Sequence, residues 1–143
     1  MSTLLGALNA SASALDVQRA RMEVATSNLA NAESTRGPDG QPYRRREVVL
    51  EAAPVDGDQA FNVQAQPEGV RVAGIVEDQT PFRRRYEPSH PDADADGFVA
   101  VPNVDVPEEM VDMLGAARAY QANLTAIGLI RDTIQRALDL AKQ

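Results

Sequence analysis

Apolar residues recur at helical spacing over both ends of the chain and at strand spacing between them. Near the N-terminus Leu8, Leu15, Met22 and Leu29 fall on every seventh position, with Leu4, Leu5 and Ala12 beside them. Near the C-terminus Met110, Met113, Ala117, Tyr120, Leu124 and Ile127 alternate at spacings of three and four. The pattern then resumes, one residue out of register, at Ile130, Ile134, Ala137 and Ala141. A repeat of about 3.5 residues keeps a narrow stripe on one side of a helix, the pattern of a surface that meets a partner helix. It predicts a first helix from a Ser2 or Thr3 cap to about residue 31 or 32. A last helix is predicted over 107–141, and at about 1.5 Å per residue the two would be roughly 40 and 50 Å long.

Between them the period shortens. Val48 and Leu50 alternate with Glu47 and Glu51, which predicts a half-buried strand over 43–52. Val70, Val72, Ile75 and Val76 predict a second strand, bent at Gly74. A third is predicted over 80–86, at a sheet edge because of Pro81. Phe98, Val99, Ala100 and Val101 form a short fourth. No helical pattern separates these strands, so the expectation is one small, twisted antiparallel sheet. Pro38-Asp39-Gly40 marks the turn after the first helix, Pro presetting φ and Gly accepting a positive one. The fold class is therefore α+β, with long terminal helices packed as a coiled-coil-like pair around a small antiparallel β module. The expected division is an N-terminal helix (1–35), a β-rich middle with an acidic loop (36–104) and a C-terminal helix (105–143).

At the start of the last helix Pro107 fits a first turn, where its missing N–H is harmless, and Glu108 and Glu109 complement the positive end of the helix dipole. Gly115 and Gly128 weaken this helix by about 1 kcal/mol each relative to Ala. They either admit a closely approaching helix or are simply tolerated.

The chain has 143 residues, 43% of them hydrophobic, but only 4% are aromatic and Trp is absent. Much of the apolar content is alanine, which adds little buried area, so an isolated copy has a thin core that docking onto neighbours would complete. A net charge of −7 argues against nucleic-acid binding, which needs a basic stripe to neutralise phosphates. Arg44-Arg45-Arg46 and Arg83-Arg84-Arg85 run against that charge, as solvated residues or as partners of acidic groups in an assembly. Cysteine is absent, so disulfide, thiolate and Cys-zinc chemistry are excluded. No run approaches the roughly 20 apolar residues of a membrane span, and direct insertion is not expected. The first residues lack a basic n-region and an uninterrupted apolar core, so ordinary secretion is not expected either. An export route that reads the N-terminus without cleaving it escapes that argument.

Three constellations carry candidate chemistry. Asp92-Ala93-Asp94-Ala95-Asp96-Gly97 matches the opening of a calcium loop, but the twelfth position is Asn103 where a bidentate Glu is needed. An acidic turn joining two strands accounts for it better than a weak cation site. Ser89, His90 and the nearby aspartates are a Ser-His-Asp trio in composition only, since adjacent residues on a Pro-bounded loop rarely reach triad geometry. Neither catalytic residues nor a cofactor or metal site is expected. The two helical seams are the third, and buried amides beside such a seam fix register. Asn28, Asn31, Gln121 and Asn123 are the expected interhelical hydrogen-bonders.

The ends of the chain carry a resemblance. Ser27-Asn28-Leu29-Ala30-Asn31-Ala32-Glu33-Ser34-Thr35 resembles the N-terminal signature of bacterial flagellar rod and hook proteins, with one extra residue before the Thr. Ala117-Arg118-Ala119-Tyr120-Gln121-Ala122-Asn123 resembles their C-terminal signature. Within that family, the run from Pro88 through Phe98 and Val99, then Pro102-Asn103-Val104 and Glu108-Glu109-Met110-Val111-Asp112-Met113, is similar to the small proximal rod subunits. The larger members follow the first signature with Gly-Tyr, whereas here Gly37 leads into Pro38-Asp39-Gly40-Gln41-Pro42-Tyr43. Residues 53–71 carry no family signal.

The resemblance implies a structural rod subunit, exported unfolded by the flagellar type III apparatus without signal cleavage. In the periplasm it would assemble with copies of itself and other rod proteins, near the rotor ring, into the shaft that carries torque to the hook. It also implies that the terminal helices form the inner layer of a tube. Leu8, Leu15, Met22 and Leu29 with Met113, Ala117, Tyr120, Leu124 and Ile127 are then the packing seam, and Asn28, Asn31, Thr35, Asn103, Tyr120, Gln121 and Asn123 the motif positions. A cytoplasmic coiled-coil adaptor and a weak calcium-binding interaction module are the alternatives that composition leaves open.

Overall fold

The computed structural model describes residues 2–54 and 68–142. Two long helices, α1 (Ser2–Ala30) and α2 (Val106–Leu140), bracket four strands in sequence: β1 (Arg46–Pro54), β2 (Glu68–Glu77), β3 (Arg83–Tyr86) and β4 (Phe98–Val101). The strands form two separate two-stranded sheets, β1 with β2 and β3 with β4, rather than the single sheet that the alternation suggests. The cause lies in the connection after β2. Asp78 Oδ1 accepts the N–H of Thr80 at 2.8 Å, and Pro81 has no N–H to offer a ladder, so the chain turns before β3 begins. That turn also trims the third strand from the expected 80–86. The expected 55–67 part of the loop after β1 lies outside the described residues.

Local chemistry sets the helix ends. Beyond Ala30 the backbone tightens as the Ser34 N–H donates to the Asn31 carbonyl at 3.0 Å and the Asn31 amide donates back to the Ser27 carbonyl at 2.9 Å. In the turn that follows, Gly40 takes φ +81° and Asp39 Oδ1 accepts the N–H of Gln41 at 3.1 Å. Helix α2 begins with Asp105 as its cap, Oδ1 accepting the Glu108 N–H at 3.2 Å, with Glu108 and Glu109 in the first turn.

The chain divides into two compact units. The first takes Met1–Ala20, Val49–Gly74 and Gly115–Gln143, and the second Arg21–Val48 and Ile75–Leu114. In the first, Val17 and Ala116 are buried. There Ser13 Oγ donates to the Ala10 carbonyl at 2.8 Å and accepts the Val70 N–H at 3.2 Å, which ties β2 to the helix. In the second, Val24, Ala25, Ala32, Val99, Val101 and Val104 are buried together with two polar side chains, Asn28 and Glu109. Among the described residues an added Cβ at Gly115 or Gly128 would meet nothing within 4 Å, so neither glycine serves a close approach to any of them.

The β3–β4 ribbon is antiparallel, with Arg83, Arg84, Arg85 and Tyr86 opposite Val101, Ala100, Val99 and Phe98. Its connecting turn depends on Gly97 at φ +83°, where a Cβ would lie 2.9 Å from the Tyr86 ring and 3.1 Å from Pro88 Cβ. Both the backbone conformation and the space reject a side chain. Gly97→Ala is expected to cost about 1–3 kcal/mol, read as a lower denaturation midpoint. An unchanged midpoint would show that the turn relaxes freely.

Candidate functional site

The second unit is organised by a buried polar junction where four stretches of chain meet. Asn28, near the end of α1, is 1% exposed. Its amide nitrogen donates to Glu109 Oε2 and to the Arg46 carbonyl, each at 2.9 Å. Its oxygen accepts the Tyr43 hydroxyl at 2.9 Å and the Arg46 N–H at 3.0 Å. These four bonds use both donors and both acceptor positions of the amide. Tyr43 Oη also lies 3.2 Å from Ser27 Oγ.

Glu109, in the first turn of α2, is 2% exposed and accepts from Arg45 Nε on its other oxygen. The Arg45 side chain is only 13% exposed and also meets Glu47, with Asp112 at 3.8 Å and Asp78 at 3.9 Å. Burial alone would disfavour its charge. The hydrogen bond and charge of Glu109, followed by those of Glu47, outweigh that and hold the guanidinium above its ordinary value.

Asn103 completes the junction. Its oxygen accepts the Arg45 N–H at 2.8 Å, and its amide donates to Thr80 Oγ1 at 2.8 Å and to the Asp78 carbonyl at 3.2 Å. Asparagines from two distant segments thus hold the consecutive N–H groups of Arg45 and Arg46. That delays β1 from the expected start at 43 to Arg46.

The acidic loop between β3 and β4 is tied down by its own carboxylates. Asp92 Oδ2 accepts from Thr35 Oγ1 at 2.9 Å, and Arg36 lies 3.4 Å from Oδ1. Asp94 Oδ1 accepts the N–H groups of Phe98 at 2.8 Å and Asp96 at 3.0 Å, and Oδ2 meets Arg84. Among the described residues, no group of three His, Asp or Glu side chains converges to hold a metal ion. His90 Nδ1 accepts the Asp92 N–H at 3.1 Å, which assigns that nitrogen to the turn.

The Phe98 N–H bond, with Arg84 and the Asp96 N–H, holds the Asp94 carboxyl below the usual aspartate range, and the Thr80 N–H does the same first for Asp78. A depressed carboxylate adds stability above its unfolded pKa of about 3.9 and loses it as pH falls through the lower folded value. The protection factors of the Phe98 and Thr80 amides, with intrinsic exchange divided out, should therefore be high at neutral pH and fall below about pH 4. Equal protection at pH 3 and 6 would contradict the assignment.

Within the single chain the expected seam residues are half-buried or exposed. Leu8, Leu15, Met22 and Leu29 are half-buried, while the buried line on α1 runs along the opposite side through Val17, Val24 and Asn28. Met113, Tyr120 and Ile127 are half-buried, whereas Ala117 and Leu124 are exposed. The Thr26 hydroxyl approaches Met113 Sδ at 3.9 Å. Of the amides, Asn28 bonds across to α2. Asn31 and Asn123 bond carbonyls of their own helices, Asn123 to Ala119 at 2.9 Å, and Gln121 is exposed. Helix α2 also shows Met110, Val111 and Leu114 in the second unit, and Leu124, Leu129, Leu138 and Leu140 in the first, each at least 41% exposed. Among the described residues no helix is long and apolar enough to cross a membrane.

Sequence comparison gives the same account at both ends of the chain. Residues 8–38 match a family model described as flagella basal body rod protein. Residues 95–140 match one described as the C-terminal part of flagellar basal body rod FlgEFG proteins. The chain is 43% identical to the flagellar basal-body rod protein FlgC of Salmonella typhimurium, over 97% of this chain and 98% of that one. It is 41% identical to FlgC of Bacillus subtilis, over 98% and 99%. With FlgC of Agrobacterium fabrum the identity is 38%, over 99% and 98%.

Proposed function

The chain belongs to the family of the flagellar basal-body rod protein FlgC, and from that premise we propose that it works by being packed, its terminal helices meeting neighbouring subunits in the rod. It is a structural subunit of the basal body. Its partners are other rod components, copies of itself among them, with the rotor ring and the export apparatus at the ends of its path. It reaches the periplasm unfolded, through the flagellar export system and without cleavage, and there it passes torque from rotor to hook.

The observation that carries this reading is the set of large apolar side chains that α2 leaves exposed. Single exposed leucines need no explanation, but this many on one long helix match a surface completed by assembly. Head-to-tail contacts that do not close on themselves generate a filament. Residues 1–35 and 105–143 would supply the inner helices and 36–104 the β-rich part outside them. Leu8, Leu15, Met22, Leu29, Met113, Ala117, Tyr120, Leu124 and Ile127 form the packing seam. Such a subunit needs no catalytic group and no cofactor.

Deleting the gene from its host and imaging purified basal bodies tests this. Rings without a completed rod or hook, restored by the gene in trans, are expected. Normal basal bodies and swimming would refute it.

A further inference from the structure

The β3–β4 ribbon leaves one backbone edge open. The Glu87 N–H donates to the Gly97 carbonyl at 2.9 Å, directly opposite in the ladder. Hydrogen-bonded pairs alternate along an antiparallel ladder, so Arg85 with Val99 and Arg83 with Val101 are the next bonded pairs. The N–H and C=O groups of Arg84 and Tyr86 then point away from β4. All four residues of β3 are exposed. Among the described residues the edge is thus a short template with two unpaired donors and two unpaired acceptors.

The side chains flanking that edge are three consecutive arginines in a chain of net charge −7. Arg84 stacks over the Phe98 ring at 4.8 Å and meets Asp94, and Arg85 meets Glu33 and Glu87. Arg83 has no ionic partner among the described residues. Two copies of this edge would bring arginines opposite arginines, which disfavours self-pairing. A strand carrying carboxylates meets the opposite situation, with backbone bonds giving affinity and alternate side chains giving specificity. We propose that the open edge of β3 is a docking site for an extended, carboxylate-rich segment of a partner protein, added to the ribbon as a third strand. Carboxylates at every second position would face Arg83 and Arg85 on one side of the enlarged ribbon.

The test uses the full chain and a fluorescein-labelled eight-residue peptide alternating glutamate and valine. Saturable binding by anisotropy is expected, with slowed amide exchange at Arg84 and Tyr86. Arg83→Glu, which breaks no ion pair among the described residues, should weaken binding about tenfold or more, the loss of one charge-assisted pair with added repulsion. A lysine–valine peptide should not bind. The same glutamate–valine peptide N-methylated throughout, which keeps its charges but lacks N–H groups, should bind at least about tenfold more weakly. Equal binding of the methylated peptide would overturn the proposal in favour of a diffuse charge effect. Absence of binding would show that the arginines only keep the edge solvated. Protection of the Arg84 and Tyr86 amides that rises with protein concentration alone would assign the edge to a second copy and overturn it too.

Discussion

Glu109→Ala is expected to cost about 1–3 kcal/mol of folding free energy, because it leaves the buried Asn28 amide hydrogen and Arg45 Nε without their acceptor while Glu47, Asp78 and Asp112 still face the guanidinium. Glu109 is 2% exposed, and its oxygens are the acceptors for Arg45 Nε and for the Asn28 amide. Alanine would leave a guanidinium of 13% exposure beside a small cavity, with one amide hydrogen unmatched. The attraction in such a pair largely repays desolvation rather than adding net stability. Replacing both members with apolar residues of similar size, Arg45→Met with Glu109→Met, should recover only part of the loss, since the Asn28 amide hydrogen still lacks its acceptor. Urea denaturation of the two single variants and the double variant provides the check. A loss below about 1 kcal/mol in Glu109→Ala would mean that water replaces the carboxylate, and the junction would then not be a desolvated pair.

The second large effect concerns assembly rather than folding. Leu124 lies in the expected seam, and 41% of its surface is open. Leu124→Asp should leave helicity and the denaturation midpoint nearly unchanged, since an exposed substitution is usually within about 0.5 kcal/mol. In the rod the same aspartate would be buried without a partner, at a cost that association cannot absorb. Motility on soft agar should be lost while the protein remains expressed and exported. Normal swimming would remove Leu124 from the interface.

The elements with strong local signals were legible from the residues alone. Phe98, Val99, Ala100 and Val101 form a strand with the expected bounds, and both helices end within two residues of the expected positions. The sheet was misread because alternation reports which face is buried and not which strand pairs with which. The Asp78–Thr80 turn breaks the chain of pairings through side-chain bonds that periodicity does not carry. Asn28 was expected to bridge helices and does so within the chain, but its partner Glu109 was read only as a residue complementing a helix dipole. A signal was available: Glu109 lies four residues before Met113 and seven before Ala116, on the apolar side of α2, where a carboxylate demands a cationic partner. The arginine run at 44–46 was the nearest source, and Arg45 is that partner. Asn103 carried its family position in the sequence, but its task of holding the Arg45 N–H depends on a contact 58 positions away along the chain.

The saturation of Asn28 bears on how α1 and the start of α2 can move past each other. A helix turns about 100° per residue, so a slip of one position would swing the amide away from Glu109, Tyr43 and Arg46 together. No intermediate setting keeps half of the bonds in good geometry. Relative sliding or twisting at this point is therefore discrete, like a keyed joint rather than a slipping clutch. A load that reaches it is met by elastic resistance until the whole set of bonds lets go.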